Sequence, residues 1–306
     1  MAKFLIILCL PMFVLVEASA KDTTFIFNHF NSTSPIKYVA AASLQSTAIL
    51  LTNLSERVVG RAYFDKVVPM KRNGSVISFT TTFIFAMVPQ RRSGGGDGLC
   101  FVMTPTTDLN GGIASQYFGL LNTSSDGKDY NHLFAVEFDT VKSISVKEND
   151  NNHVGIDLNS VRSVVAEAAG IWEGNSLTPI NLKSGHNIRV WIDYDGDSKQ
   201  LEISIAAVGE ARQQKALLSK KDLDLDGIIQ DQMYVGFSAS TGNSPLVEDH
   251  YILAWSFATE TNKTPNLDIV HLPSFYVKSC KFYTNAKFVS TTILATTGGV
   301  PATGGR

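Results

Sequence analysis

The chain of 306 residues is 44% hydrophobic and 18% charged, and its 26 Lys and Arg against 28 Asp and Glu leave a formal net charge of −2. So even a mixture of signs argues against a basic face for nucleic acid or for an anionic membrane. A chain of this length buries one large core or two smaller ones.

The opening MAKFLIILCLPMFVLVEASA joins a positive Lys3 to an apolar run over residues 4–16 and a small-residue Ala18-Ser19-Ala20 step. That order predicts a secretory signal peptide over residues 1–20, because the run is shorter than the roughly 20 residues a membrane span needs. No later stretch is apolar for long enough to cross a bilayer, so the mature chain is expected outside the cell, in the apoplast or cell wall. Sequons at Asn31, Asn53, Asn73, Asn122 and Asn262 add an expectation of N-glycosylation. Cys9 leaves with the leader, and Cys100 and Cys280 remain to pair or to stay free.

Strand-like alternation then recurs along the chain. In ISFTTTFIFAM, Ile77, Phe79, Phe83, Phe85 and Met87 share one face, while Ser78, Thr80 and Thr82 point the other way. NIRVWIDY places Ile188, Val190 and Ile192 on one face, and KQLEISIAAV does the same with Leu201, Ile203 and Ile205. Asp195-Gly196 between them is a hairpin signal. MYVGFSAS and YILAWSFATE predict two more strands. The one helical candidate is a short stretch from Val208 to Ser219. Many strands with Gly, Asn and Ser turns and no alternating helices indicate an all-β sandwich or barrel over residues 21–260. Residues 261–306, which end ATTGGVPATGGR, read as a disordered tail or linker.

One segment concentrates charge between apolar runs. In LFAVEFDT, Phe134, Val136 and Phe138 face one way, so Glu137 and Asp139 project together from the other face. In NHVGIDL, Val154, Ile156 and Leu158 form the apolar face and leave His153 on the polar one. Pairing these strands would set Glu137, Asp139 and His153 side by side. Two carboxylates and an imidazole suit a transition metal, and carboxylates with carbonyls suit Ca²⁺. Without a cation, adjacent carboxylates on a half-buried surface repel.

The motifs TTFIF, GGGDGLCFVMTP, QYFGLLN, VEFDT, NHVGIDLNS and GFSASTG, in that order, make the chain resemble the legume lectin family. It is most similar to the lectin ectodomain of plant lectin-domain receptor-like kinases, without their transmembrane and kinase parts. The resemblance runs from residue 23 to residue 260 and implies a legume-lectin-like jelly-roll β-sandwich. It also implies Ca²⁺ and Mn²⁺ beside a shallow sugar pocket. The implied metal set is Glu137, Asp139, Val141, Ser143, Glu148 and His153, with Asp139 bridging both ions. The implied carbohydrate set is Asp97, Gln116, Ser143, Thr241 and Gly242, with Asp97 accepting hydrogen bonds from sugar hydroxyls.

The departures from the family are specific. Val141 and Ser143 stand where the family has an aromatic residue and an asparagine, and Ser143 lacks the amide donor. Lys147 and Glu148 fall near a further metal aspartate, with Asp150 as another candidate, and Gln116 replaces a glycine.

Other signals carry less. GGGDG is followed by a strand and no Lys-Ser/Thr, unlike a phosphate loop, and DLDLDG lacks the closing Glu of a calcium-binding EF-hand. No hydrolase motif occurs, and Glu137 and Asp139 fit ligation better than acid and base catalysis. His29, His132, His186, His250 and His271 read as structural or exposed. The expectation is a secreted, non-enzymatic binding protein for glycans or glycoproteins that can form homo-oligomers. The alternative is a receptor-ectodomain-like protein that has lost sugar binding and takes protein or small-molecule ligands.

Overall fold

The computed structural model describes residues 22–90, 95–108, 111–142, 150–243, 247–260 and 266–275. The expected signal peptide, Ser143, Lys147, Glu148, the Asn262 sequon and Cys280 lie outside the described residues.

Strands form where the period of two lets one face be buried. Along Ile188–Asp195, Ile188, Val190, Ile192 and Tyr194 are buried, while Arg189, Trp191 and Asp193 alternate with them on the outer face. This strand pairs with Gln200–Ala207 in the register Ile192↔Ile203, and the Asp195-Gly196 hairpin turn forms between them. The Asp195 carboxylate holds that turn by accepting the N–H groups of Asp197 and Ser198.

Two eight-stranded antiparallel sheets result. The first runs, in spatial order, Leu218–Lys220, Gln200–Ala207, Ile188–Asp195, Phe79–Pro89, Glu248–Thr259, Ala48–Thr52 and Ser43–Gln45, with Thr24–Phe27 also paired to Glu248–Thr259. The second runs Val165–Ala168, His153–Leu158, Phe134–Asp139, Gly98–Thr104, Gln232–Ser240, Val59–Phe64 and Ile36–Ala40, with Val68–Pro69 also paired to Gln232–Ser240. Strands distant in sequence are neighbours in both sheets, as in a jelly roll.

The inner faces meet in an aromatic core. Phe83 packs edge-on against Phe237 at 4.9 Å between ring centroids, and Phe237 meets Trp255 at the same separation. Phe101 and Phe138 close on Phe83 from the second sheet. The Trp255 indole N–H, which burial would leave unsatisfied, donates to the Thr81 hydroxyl at 3.0 Å.

Two expectations change. Val208 to Ser219 forms no helix: Val208 and Gly209 make a turn, Gly209 sits at φ +99°, and Leu218–Lys220 joins the first sheet as an edge strand. Of the large apolar side chains there, Leu217 and Leu218 go to the core as adjacent residues and Val208 packs on the outer face of the first sheet, a spacing that makes no helical stripe. Residues 266–275, read as part of a tail, instead pack on the outer face of the first sheet. Leu267 and Phe275 are buried among Ile84, Ala86, Val88 and Tyr251, and Phe275 stacks on Tyr251 at 4.4 Å. Asn187 donates to the Pro273 carbonyl, and the Asp268 N–H donates to Asn28.

Cys100 is a free, fully buried thiol. Asn31, Asn53 and Asn73 are exposed and Asn122 is half-buried. Among the described residues, no helix is long and apolar enough to cross a membrane.

The aromatic junction predicts the largest single-residue effect on stability. Phe237→Ala should cost about 3–5 kcal/mol in urea unfolding, through lost transfer energy and the cavity left between the sheets.

Candidate functional site

The second sheet carries the site on its outward side. Phe134–Asp139 pairs with His153–Leu158 in the register Asp139↔His153 and Glu137↔Gly155. That register sends Phe134, Val136, Phe138, Val154 and Ile156 to the core and sets Glu137, Asp139 and His153 together opposite it, as their alternation predicts. Ligand atoms of these three side chains all lie within 4.8 Å of one another, and each side chain is almost wholly buried.

The surroundings fix their orientation. His153 Nδ1 lies 3.2 Å from Asp150 Oδ1, and Nε2 lies 3.4 Å from Glu137 Oε1. With its Nδ1 proton on Asp150, His153 turns an Nε2 lone pair toward a carboxylate, an arrangement that a cation or a second ring proton must relieve. The Val141 N–H donates to Asp139 Oδ1 at 2.6 Å. Ser163 is hydrogen-bonded to both Glu137 and Asp157, a further carboxylate that is 2% exposed. Glu137 Oε2 is buried without a hydrogen-bond partner. Buried carboxylates with an open acceptor and a poised imidazole fit a divalent cation held by hard and borderline ligands. Cys100 is not part of this convergent group, and burial first, and then Asp157, Glu137 and Asp139, push its thiol well above the usual range.

Asp97 stands beside this cluster, since the next residue, Gly98, pairs with Asp139. Gly98 has φ +118°, and a Cβ there would meet the Phe138 carbonyl oxygen at 2.2 Å, so only glycine lets the loop approach the sheet. The Asp97 N–H donates to Ser240 O and its carbonyl accepts from Thr140 N, both at 3.3 Å. Asp97 Oδ1 accepts from the Ser115 hydroxyl at 3.1 Å, and Oδ2 has no hydrogen-bond partner. Burial raises the Asp97 carboxyl to about 6; the Ser115 hydrogen bond and His250 oppose the rise, and Glu248 adds to it.

Ser115 is the contact that sequence reasoning missed. Gln116, the neighbour that the family pattern singles out, lies half-buried in the same helical turn, Ser115–Tyr117. The turn is clamped from below: Ser240 donates to Ser115 O at 2.8 Å, Ser238 to Phe118 O, and the buried Arg61 to Gly119 O and, at 2.9 Å, to Asp108 O. No spacing rule in the sequence links Arg61 or Ser240 to that loop. Thr241 and Gly242 face the 55–58 turn: the Thr241 hydroxyl donates to Ser55 O and accepts from Val58 N, and Gly242 O accepts from Arg57 N.

A two-sheet antiparallel sandwich that presents a buried acid–imidazole cluster next to an open aspartate acceptor describes a lectin-type binding protein. A family model for the legume lectin domain matches residues 22–274, and the chain belongs to that family. It is 37% identical over 272 residues to the L-type lectin-domain containing receptor kinase VII.1 of Arabidopsis thaliana, covering 87% of this chain and 39% of the relative. The chain thus spans well under half of that relative's length. Among solved structures it is similar to the metal-free form of lectin I-B4 from Griffonia simplicifolia, with TM-score 0.66 and 28% identity over 78% of this chain and 99% of that one. The lectin from Bauhinia forficata in complex with GalNAc matches with TM-score 0.65 and 27% identity, over 79% of this chain and all of that one. The family and these structural neighbours are lectins, which bind carbohydrate without transforming it.

The buried carboxyls predict a pH signature. Burial raises both Asp97 and Asp249 to about 6, against about 3.9 in an unfolded chain. The folded chain then holds protons that the unfolded chain has lost, so stability present below about pH 4 is lost as pH rises through about 6. In chelator-treated protein, urea unfolding should show Asp97→Asn gaining up to about 3 kcal/mol on the wild type across that window.

Proposed function

We propose that this protein is a secreted lectin of the apoplast or cell wall that recognises glycans or glycoproteins through the Asp97 loop. The observation that carries this reading is the buried, unsatisfied acceptor Asp97 Oδ2, set beside Glu137, Asp139 and His153. A ligand hydroxyl donating to that oxygen would satisfy a buried group that otherwise lacks a partner. Ser115 orients the other carboxylate oxygen and so directs Oδ2.

Calcium and manganese, as in the family, would be held by Glu137, Asp139 and His153, with Val141, Ser143 and Glu148 completing the set. A bound cation would supply fixed positive charge that neutralises the carboxylates and draws Asp97 toward its ionised, accepting form. Gln116, Ser143, Thr241 and Gly242 remain the further carbohydrate contacts of this reading, with Thr241 and Gly242 acting through the shape of the 55–58 turn. A site that works by a few hydrogen bonds has weak affinity for one sugar, which pairing of copies would raise. The role is recognition, in defence or at the cell surface, with no reaction.

A second reading has one observation in its favour. The Thr241 hydroxyl and the Gly242 carbonyl are already engaged with residues 55–58, and Ser143 lacks the amide of the family asparagine. A receptor-ectodomain-like interaction protein that no longer binds sugar fits those residues.

A glycan array with protein loaded with Ca²⁺ and Mn²⁺ separates the two readings. The lectin reading expects specific binding that free sugar competes away and that Asp97→Ala weakens by at least about tenfold, the effect of one lost hydrogen bond to a charged group. An array silent for correctly folded, metal-loaded protein would overturn it.

A further inference from the structure

His250, which the sequence leaves without a role, lies beneath the Asp97 loop in a chain of fully buried polar groups. Thr52, Thr140, Glu248 and His250 all have no exposed surface. The Thr52 hydroxyl lies on His250 Nδ1 and also reaches Glu248 O at 3.2 Å. His250 Nε2 stands 2.9 Å from Glu248 Oε1, close enough to pair electrostatically though not aligned as a hydrogen bond. Glu248 Oε1 is also 3.2 Å from the Thr140 hydroxyl, and that hydroxyl bonds to the Gly96 carbonyl as well.

The Thr140 hydroxyl has one proton and two acceptors in reach, Gly96 O and Glu248 Oε1. A carboxylate is the stronger acceptor, so an uncompensated Glu248 would pull the proton off Gly96. His250 Nε2–H offers Oε1 another positive partner and leaves the Thr140 proton to the loop. Contact is also tight: a Cβ on Gly96 would lie 3.0 Å from Glu248 Cγ and 3.1 Å from His250 Cε1, so the loop rests directly on the pair.

We propose that Glu248 and His250 are positioning residues of the Asp97 site: the buried pair decides which acceptor takes the Thr140 proton, and so how firmly the backbone carrying Asp97 is held. This rests on the reading of Asp97 as the ligand acceptor. Other charges facing the pair are Asp97 itself, Asp249 on the same strand, and Lys183, whose Nζ donates to Thr140 O at 2.7 Å. All three are kept in the variants below.

The test is amide exchange of Asp97 and Thr140, the two N–H groups that report loop opening, in chelator-treated protein and corrected for intrinsic exchange. His250→Phe leaves Thr52 able to donate to Glu248 O but strips Oε1 of its partner. Protection should fall by about tenfold. Glu248→Leu/His250→Phe removes the competitor and should return to wild-type protection. Thr140→Val, which keeps the pair and deletes the proton, should be as loose as His250→Phe.

Wild-type protection in His250→Phe, or in Thr140→Val, would overturn the proposal. So would a double variant as loose as His250→Phe alone, which would make His250 a packing residue. The readout needs no ligand, so it holds or fails independently of whether a glycan binds.

Discussion

The pairing of Phe134–Asp139 with His153–Leu158 is the constraint on which the rest of the site depends. Because side chains alternate strictly along a strand, one register delivers Phe134, Val136 and Phe138 to the core and Glu137 and Asp139 to the opposite face. A slip by one residue would bury the carboxylates among phenylalanines, at a cost no neighbouring group could offset. The hydrophobic core therefore enforces the geometry of the polar cluster. In turn the cluster, with three acidic groups and an imidazole under the loops, is the costly part of the fold. A bound cation would offset that cost, turning mutual repulsion among Glu137, Asp139 and Asp157 into shared attraction.

Asp97 depends on the same sheet one strand over. Gly98 pairs with Asp139 on one side and with Ser240 on the other, so the loop before it is anchored between the cluster and Gln232–Ser240. The loop that supplies Ser115 is held to the same strand by Ser238 and Ser240. Two separate loops thus take their positions from one central strand, the Asp97 loop through its backbone and the Ser115 loop through its serine hydroxyls. A change in that strand would be felt at Asp97 from both directions.

Much of this was legible in the sequence because it rests on period-two alternation. The sandwich, the Asp195-Gly196 hairpin and the juxtaposition of Glu137, Asp139 and His153 all follow from which residues are apolar. What was not legible depends on tertiary contact alone. Ser115 reaches Asp97 across 18 residues, Arg61 clamps a loop 58 residues away, and Thr140 meets Glu248 across 108. Residues 266–275 misled for a related reason. Pro273 and the polar residues there obscure any strand pattern, yet Leu267 and Phe275, with Ile269 and Leu272 beside them, cover the apolar outer face of the first sheet. The Val208 to Ser219 stretch has helix-forming residues without an apolar stripe, and packing of Leu217 and Leu218 decided its course.

The central proposal is that the buried carboxylates and His153 can hold a cation. Elemental analysis of the purified protein and calorimetric titration of the chelator-treated protein with Ca²⁺ and Mn²⁺, each beside Asp139→Asn, test it most directly. The account predicts stoichiometric metal that chelator removes, that rebinds with a gain in melting temperature, and that Asp139→Asn fails to hold. A wild-type chain that is fully folded, carries no metal and gains no stability from either ion would contradict it.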